Sequence, residues 1–150
     1  LILSGGYYSA PNELKPWLHR TRTGVCLVHE LRAWDYQPKE MWDLYRRLFD
    51  FGYGEPDCRV YNYWDDGFPL QVEGVNAKAM VMVRGHKALA VVTDYGEGGN
   101  ATVQLDLASL KLPATLQPQD LETATPLPTP AAGTATFPLK KHDFKVVVWE

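Results

Sequence analysis

No apolar run in this sequence approaches the roughly 20 residues that cross a bilayer, and Leu1-Ile2-Leu3 is too short for the core of a signal peptide. A membrane partner is therefore not expected. Nor is there a basic cluster of the kind that neutralises phosphates. Fifteen Lys and Arg stand against eighteen Asp and Glu, for a net charge of -3, so nucleic acid is excluded as the natural partner. Cysteine is scarce, and Cys26 and Cys58 each adjoin apolar residues, where they read as small buried hydrophobes rather than a disulfide framework. His19, His29, His86 and His142 show no paired spacing typical of zinc, and no cofactor motif is present. Gly96-Glu97-Gly98-Gly99 follows a strand signal as a phosphate loop does, but it precedes another strand instead of a helix and reads as a hairpin. Ser4 and Ser9 have no neighbouring base, so no nucleophilic triad is indicated. No metal and no cofactor are expected.

What is present is a composition able to build a core, in a chain of 150 residues that begins at Leu1 and is expected to be a processed chain, an expressed piece or part of a longer polypeptide. Its character changes near Gly74. Before that point helix and strand signals mix. Val25-Cys26-Leu27-Val28, bounded by Gly24, reads as a buried strand, and a segment from Pro11 could form a short helix. Residues 39 to 51 place Met41, Trp42, Leu44, Tyr45, Leu48 and Phe49 at the spacing of an amphipathic helix, with Pro38 and Gly52 as boundary signals. Trp42, Tyr45 and Phe49 are expected to bury one side of it.

After Gly74 the signal is almost purely β. Ala79 to Val83 and Ala88 to Thr93 flank Arg84-Gly85-His86-Lys87, a connection suited to a tight hairpin. Tyr95 to Asn100 is a second turn; Ala101 to Leu107 and, more loosely, Ala135 to Leu139 alternate with period two. The near-continuous apolar run Phe144 to Trp149 should be central or covered on both faces, whereas Thr125 to Pro130 is too rich in proline for anything but a loop or an edge. The expected fold is mainly β: an antiparallel β-sandwich over residues 70–150, preceded by a mixed α/β segment, residues 1–69, with one amphipathic helix.

The order of segments Lys87 to Gly96, Leu110-Lys111-Leu112, Asp120-Leu121-Glu122-Thr123, Phe137-Pro138-Leu139 and His142 to Trp149 resembles the closing β domain of many glycoside hydrolases. The resemblance covers about the last half of the chain and is specific to architecture more than to chemistry. It implies that Gly24 to Leu31 is a late strand of a (β/α) barrel and Lys39 to Phe51 its outer helix. A whole barrel takes about 250 residues. Most of a catalytic domain would then lie outside this chain, as its partner in the same polypeptide.

On that reading His29-Glu30 and Asp35 form the best catalytic-looking cluster, because barrel active sites gather carboxylates at strand ends. Glycoside hydrolysis needs two carboxyl groups, and Glu30 and Asp35 can equally be polar residues that end an element and start a loop. Tyr61-Asn62-Tyr63-Trp64-Asp65-Asp66 is the richest recognition-like stretch: flat rings stack on the apolar faces of sugars while Asn and Asp bond hydroxyls. Packing between layers accounts for the same rings, with Tyr61 and Tyr63 on one face of a strand and Trp64 on the other, and is the favoured reading. Asp65-Asp66-Gly67 is better suited to a turn than to a cation site, which needs more oxygen ligands. The function expected is the largely architectural C-terminal portion of a carbohydrate-active enzyme with a contribution to glycan binding; the alternative is an independent carbohydrate-binding or cell-surface interaction module.

Overall fold

The computed structural model describes residues 9–31 and 38–150. Among these residues, nine strands and two α-helices form three layers. A single 3-10 turn, Asn12–Leu14, leads into α1 (Lys15–Val28), and α2 (Lys39–Phe51) follows. The strands are β1 (Arg59–Asn62), β2 (Leu70–Glu73), β3 (Ala77–Arg84), β4 (Lys87–Asp94), β5 (Gly98–Leu105), β6 (Pro118–Asp120), β7 (Thr125–Pro126), β8 (Thr134–Lys140) and β9 (Phe144–Trp149). Six of them make a sheet in the order β1-β3-β4-β9-β6-β7, and the other three make a second sheet in the order β2-β5-β8. Every pairing is antiparallel.

Side-chain alternation explains the layering. Ala79, Val81 and Val83 of β3 face the second sheet together with Ala88, Ala90 and Val92 of β4 and Val147 and Trp149 of β9. Opposite them stand Leu70, Val103, Leu105, Phe137 and Leu139, completing the sandwich core. The other faces of the same strands carry Met80, Met82, Leu89, Val91, Phe144 and Val146, and the helices cover these with Leu27, Val28, Met41, Leu44, Tyr45 and Leu48. β3, β4 and β9 are thus buried on both sides. That is why they read as continuous apolar runs. The proline-rich segment lies at the edge, where β7 pairs only through Thr125 and Pro126.

Three expectations need correction. Val25 to Val28 closes α1 and is not a strand, so residues 24–31 do not form a late barrel strand. Gly24 marks a close approach: a Cβ there would stand 3.0 Å from Cβ of Phe144 and from Thr93. The helix can lie flat on the sheet because it turns Thr23 and Gly24 to it, and these small residues blur the apolar stripe. The second correction concerns α2, whose buried face is Met41, Leu44, Tyr45 and Leu48, while Trp42 and Phe49 are 53% and 47% exposed. Third, β1 ends at Asn62, so Tyr63 and Trp64 belong to the turn beyond the strand and do not alternate across it.

The helices are tied down by charge as well as by burial. Arg20 of α1 binds Glu122 through two nitrogens at 2.8 and 3.0 Å, reaches Asp143 at 2.5 Å, donates to the carbonyl of Phe144 at 3.0 Å, and lies 4.3 Å from that ring's centre. Arg47 of α2 donates to the carbonyls of Leu121 and Glu122 in the same turn. One planar guanidinium forked onto a carboxylate fixes orientation as well as distance. Asp120 accepts the backbone N–H groups of Glu122 and Thr123 with one oxygen and Lys145 with the other. The polar positions Asp120, Glu122 and Asp143 therefore serve to lock the helical layer onto the sandwich.

Candidate functional site

At one end of the six-stranded sheet, on the helical side, β1 ends, β3 begins and β4 ends, and the C-terminus of α1 arrives at the same place. Four aromatic rings meet there. His29 stacks nearly parallel to Trp64, with centroids 5.8 Å apart, and meets Tyr63 edge-on at 5.7 Å. Tyr63 and Trp64 make an edge contact at 4.8 Å, and a His29 ring nitrogen, Nε2, is 3.1 Å from the Tyr95 hydroxyl. Burial, with the nearby Tyr63 and Cys26, pushes the Tyr95 phenol up, so it stays protonated. Lys78 sets its ammonium 4.8 Å from the centre of Tyr63.

The Tyr63-Trp64 turn is held firmly. Asp65 accepts the backbone N–H of Asn62 at 2.7 Å through its carboxylate, and its own N–H returns to the Asn62 carbonyl at 2.8 Å. Asp65-Asp66-Gly67 is thus a turn, and no metal-binding group of three or more His, Cys, Asp or Glu exists among the described residues. The side-chain amide of Asn62 donates to Glu30 at 3.2 Å, joining the two regions singled out from the sequence. Glu30 sits just past the end of α1, where its N–H bonds to Leu27 and the N–H of Leu31 bonds to Cys26, a closure that demands left-handed backbone at Glu30 (φ 53°). Asp35, the other catalytic candidate, lies outside the described residues.

The recognition candidates separate by burial. Tyr61 packs against the sandwich core, beneath the guanidinium of Arg59. Tyr63 and Asp65 are half-buried, Asp66 is exposed, and Trp64 leaves 51% of its surface in solvent. Tyr95 and Lys78 belong to the site although the linear sequence gave no reason to single them out. The signal that finds them is pairing register: Ala77 opposite Asp94 and Asn62 opposite Met80 place their neighbours at one sheet end. By contrast, an open groove of about 560 Å³ bordered by Phe68, Gln104, Leu107 and Leu112 has Asp106 as its sole ionisable group. Its other polar side chains are Gln71 and Gln104, and the Gln104 amide is already bonded to the carbonyls of Leu105 and Ala132.

No protein-family model matches the chain, and no curated protein matches it. The site is thus defined by its geometry. Its most exposed ring is the indole of Trp64, stacked nearly parallel to His29 on a hydrogen-bonded turn and followed in the chain by the half-buried Asp65 and the exposed Asp66.

Proposed function

We propose that this chain is the C-terminal, largely architectural β-sandwich portion of a carbohydrate-active enzyme, stabilising its catalytic domain, and that the turn carrying Tyr63 and Trp64 contributes a glycan contact. The observation that carries the glycan contact is the exposed indole of Trp64 beside hydrogen-bonding groups, while Tyr61 turns inward to the core. The interlocking of Arg20 with Glu122, Asp143 and Phe144 ties the helical layer to the sandwich within this chain. The same exposed ring is compatible with an independent carbohydrate-binding module. Equal glycan affinity in the isolated chain and in a longer polypeptide would favour that alternative.

Glycan-array binding and thermal melting of two variants test the proposal. Trp64→Ala is expected to abolish binding with melting unchanged, whereas Tyr61→Ala is expected to lower melting first, because its ring supports the core. Full binding by Trp64→Ala, or no binding by the unaltered chain, rejects the glycan contact.

A further inference from the structure

Trp64 shares its end of the molecule with two other exposed rings. α1 crosses the strand ends there, with Arg20 on Asp143 ahead of β9, Gly24 against Thr93 near the end of β4, and His29 against Tyr63 and Trp64 beyond β1. Trp17, near the start of the same helix, stacks on His142 with centroids 5.9 Å apart and donates from Nε1 to the carbonyl of Lys141 at 2.9 Å. Lys141 in turn grips both carboxylate oxygens of Glu97 at 2.7 Å. Glu97 lies in the loop that also carries Tyr95, whose hydroxyl meets His29, and His29 stacks on Trp64. One line of contacts therefore joins Trp17 and Tyr95, each 38% exposed, to the more open Trp64. Two independent measures give its length: the helix rise from Trp17 to His29 is about 18 Å, and the three strand steps from β1 to β9 span about 14 Å. Either exceeds a single sugar ring.

Resting on the glycan-contact reading, we propose that this rim is an extended surface along α1 for a linear, neutral oligosaccharide, with Trp64 at one end, Trp17 at the other and Tyr95 between. An equatorially linked chain fits it, because its successive rings stay extended and present flat apolar faces to the indoles. The rim carries charges of both signs, Glu30 and Glu97 against Lys78 and Lys141, so a neutral chain meets no net repulsion. Rings already held in place lose little freedom on binding, and the second contact adds to the first because one chain joins both.

Calorimetric titration of the chain with cellobiose and cellohexaose tests this, with thermal melting of each variant as the control for folding. The hexasaccharide is expected to bind about tenfold tighter than the disaccharide. Trp17→Leu, which keeps an apolar side chain but no flat face, is expected to abolish that preference and to leave disaccharide binding at Trp64 unchanged. Trp17→Phe is expected to retain most of it, although both variants lose the bond to Lys141. Equal affinity for the two lengths, or a length preference that survives Trp17→Leu, overturns the extended surface and leaves the glycan contact standing. Equal loss in both variants assigns the effect to the turn at Lys141 rather than to the ring and also overturns it. If neither oligomer binds, the extended surface fails, and the glycan array then decides whether the Trp64 contact stands without it.

Discussion

Glu30 adopts a left-handed backbone that costs an L-residue roughly 1 kcal/mol and costs glycine almost nothing. The position after a helix end is where glycine is most often found, so a glutamate there carries a stability cost that its side chain must justify by contact. Its one hydrogen bond, to Asn62, is solvent-exposed and offsets little of that cost. Glu30→Gly is expected to stabilise the fold by about 0.5–1 kcal/mol in chemical denaturation. A loss of stability of similar size would mean that the carboxylate holds the end of α1 in place. Asp120 makes the opposite case, a charged residue whose value is structural. Burial raises its carboxyl, but the hydrogen bond and charge of Lys145, with the N–H groups of Glu122 and Thr123, outweigh that and leave it below the ordinary carboxylate range. A depressed folded-state value means that the stabilisation is fully present above the unfolded value, about pH 4, and is lost as pH falls through the folded one. The stability difference between the unaltered chain and Asp120→Asn, followed by urea denaturation, is expected to be greatest at neutral pH and to shrink below about pH 4. A difference that stays constant from pH 7 to pH 2 would contradict this.

At the scale of elements, α2 separates what a sequence reveals from what it conceals. Its boundaries were legible because Pro38 and Gly52 are local signals and six apolar residues recur at helical spacing. Which of the six turn inward was not legible, because two stripes, Met41-Leu44-Tyr45-Leu48 and Trp42-Phe49, both satisfy the period. Only the sheet beneath decides between them. Leu48→Ala is expected to cost about 2–5 kcal/mol, since that side chain is fully enclosed. Trp42→Ala is expected to cost below about 1 kcal/mol despite the larger side chain, because half of it is already in water. Thermal melting of the two variants checks the order, and the reverse order would place the wrong stripe inside. The hairpin at Gly85, the alternation in β5 and β8, and the doubly covered β9 were legible for a common reason: turn chemistry and period two act within a few residues. α1 was legible only as a short helix from Pro11, because the middle of its contact face is small or polar, with His19, Thr23 and Gly24 buried ahead of the apolar Leu27 and Val28. The site was half legible. Its aromatic turn and Glu30 stood out as residue types, but their meeting through Asn62, and the arrival of Tyr95 and Lys78, depend on strand register across three segments.

At the scale of the whole molecule, the six-stranded sheet belongs to both cores at once. Met80 and Val81 are adjacent in β3, yet one packs under the helices and the other into the sandwich. Removing the helical layer would expose Met80, Met82, Leu89, Val91, Phe144 and Val146 together, an apolar surface of the size that drives association in water. Cutting the chain before residue 70 would also remove β1, since Arg59 to Asn62 form the edge strand against β3, and would strip Arg20 from Glu122 and Asp143. Two buried or half-buried carboxylates would then lack their cation, and β3 would become an open, apolar edge. A fragment of residues 70–150 is therefore expected to aggregate or to remain partly unfolded. The whole chain should lose its near-ultraviolet aromatic signal and its helical signal in one transition. Circular dichroism at both wavelengths during thermal unfolding measures this directly. Helical signal lost tens of degrees before the aromatic signal, together with a soluble, cooperatively melting 70–150 fragment, would show that the sandwich stands without its helices. Coincident transitions would mean instead that α1 and α2 are structural parts of the sheet, and that any partner docking on this side meets a layer already closed.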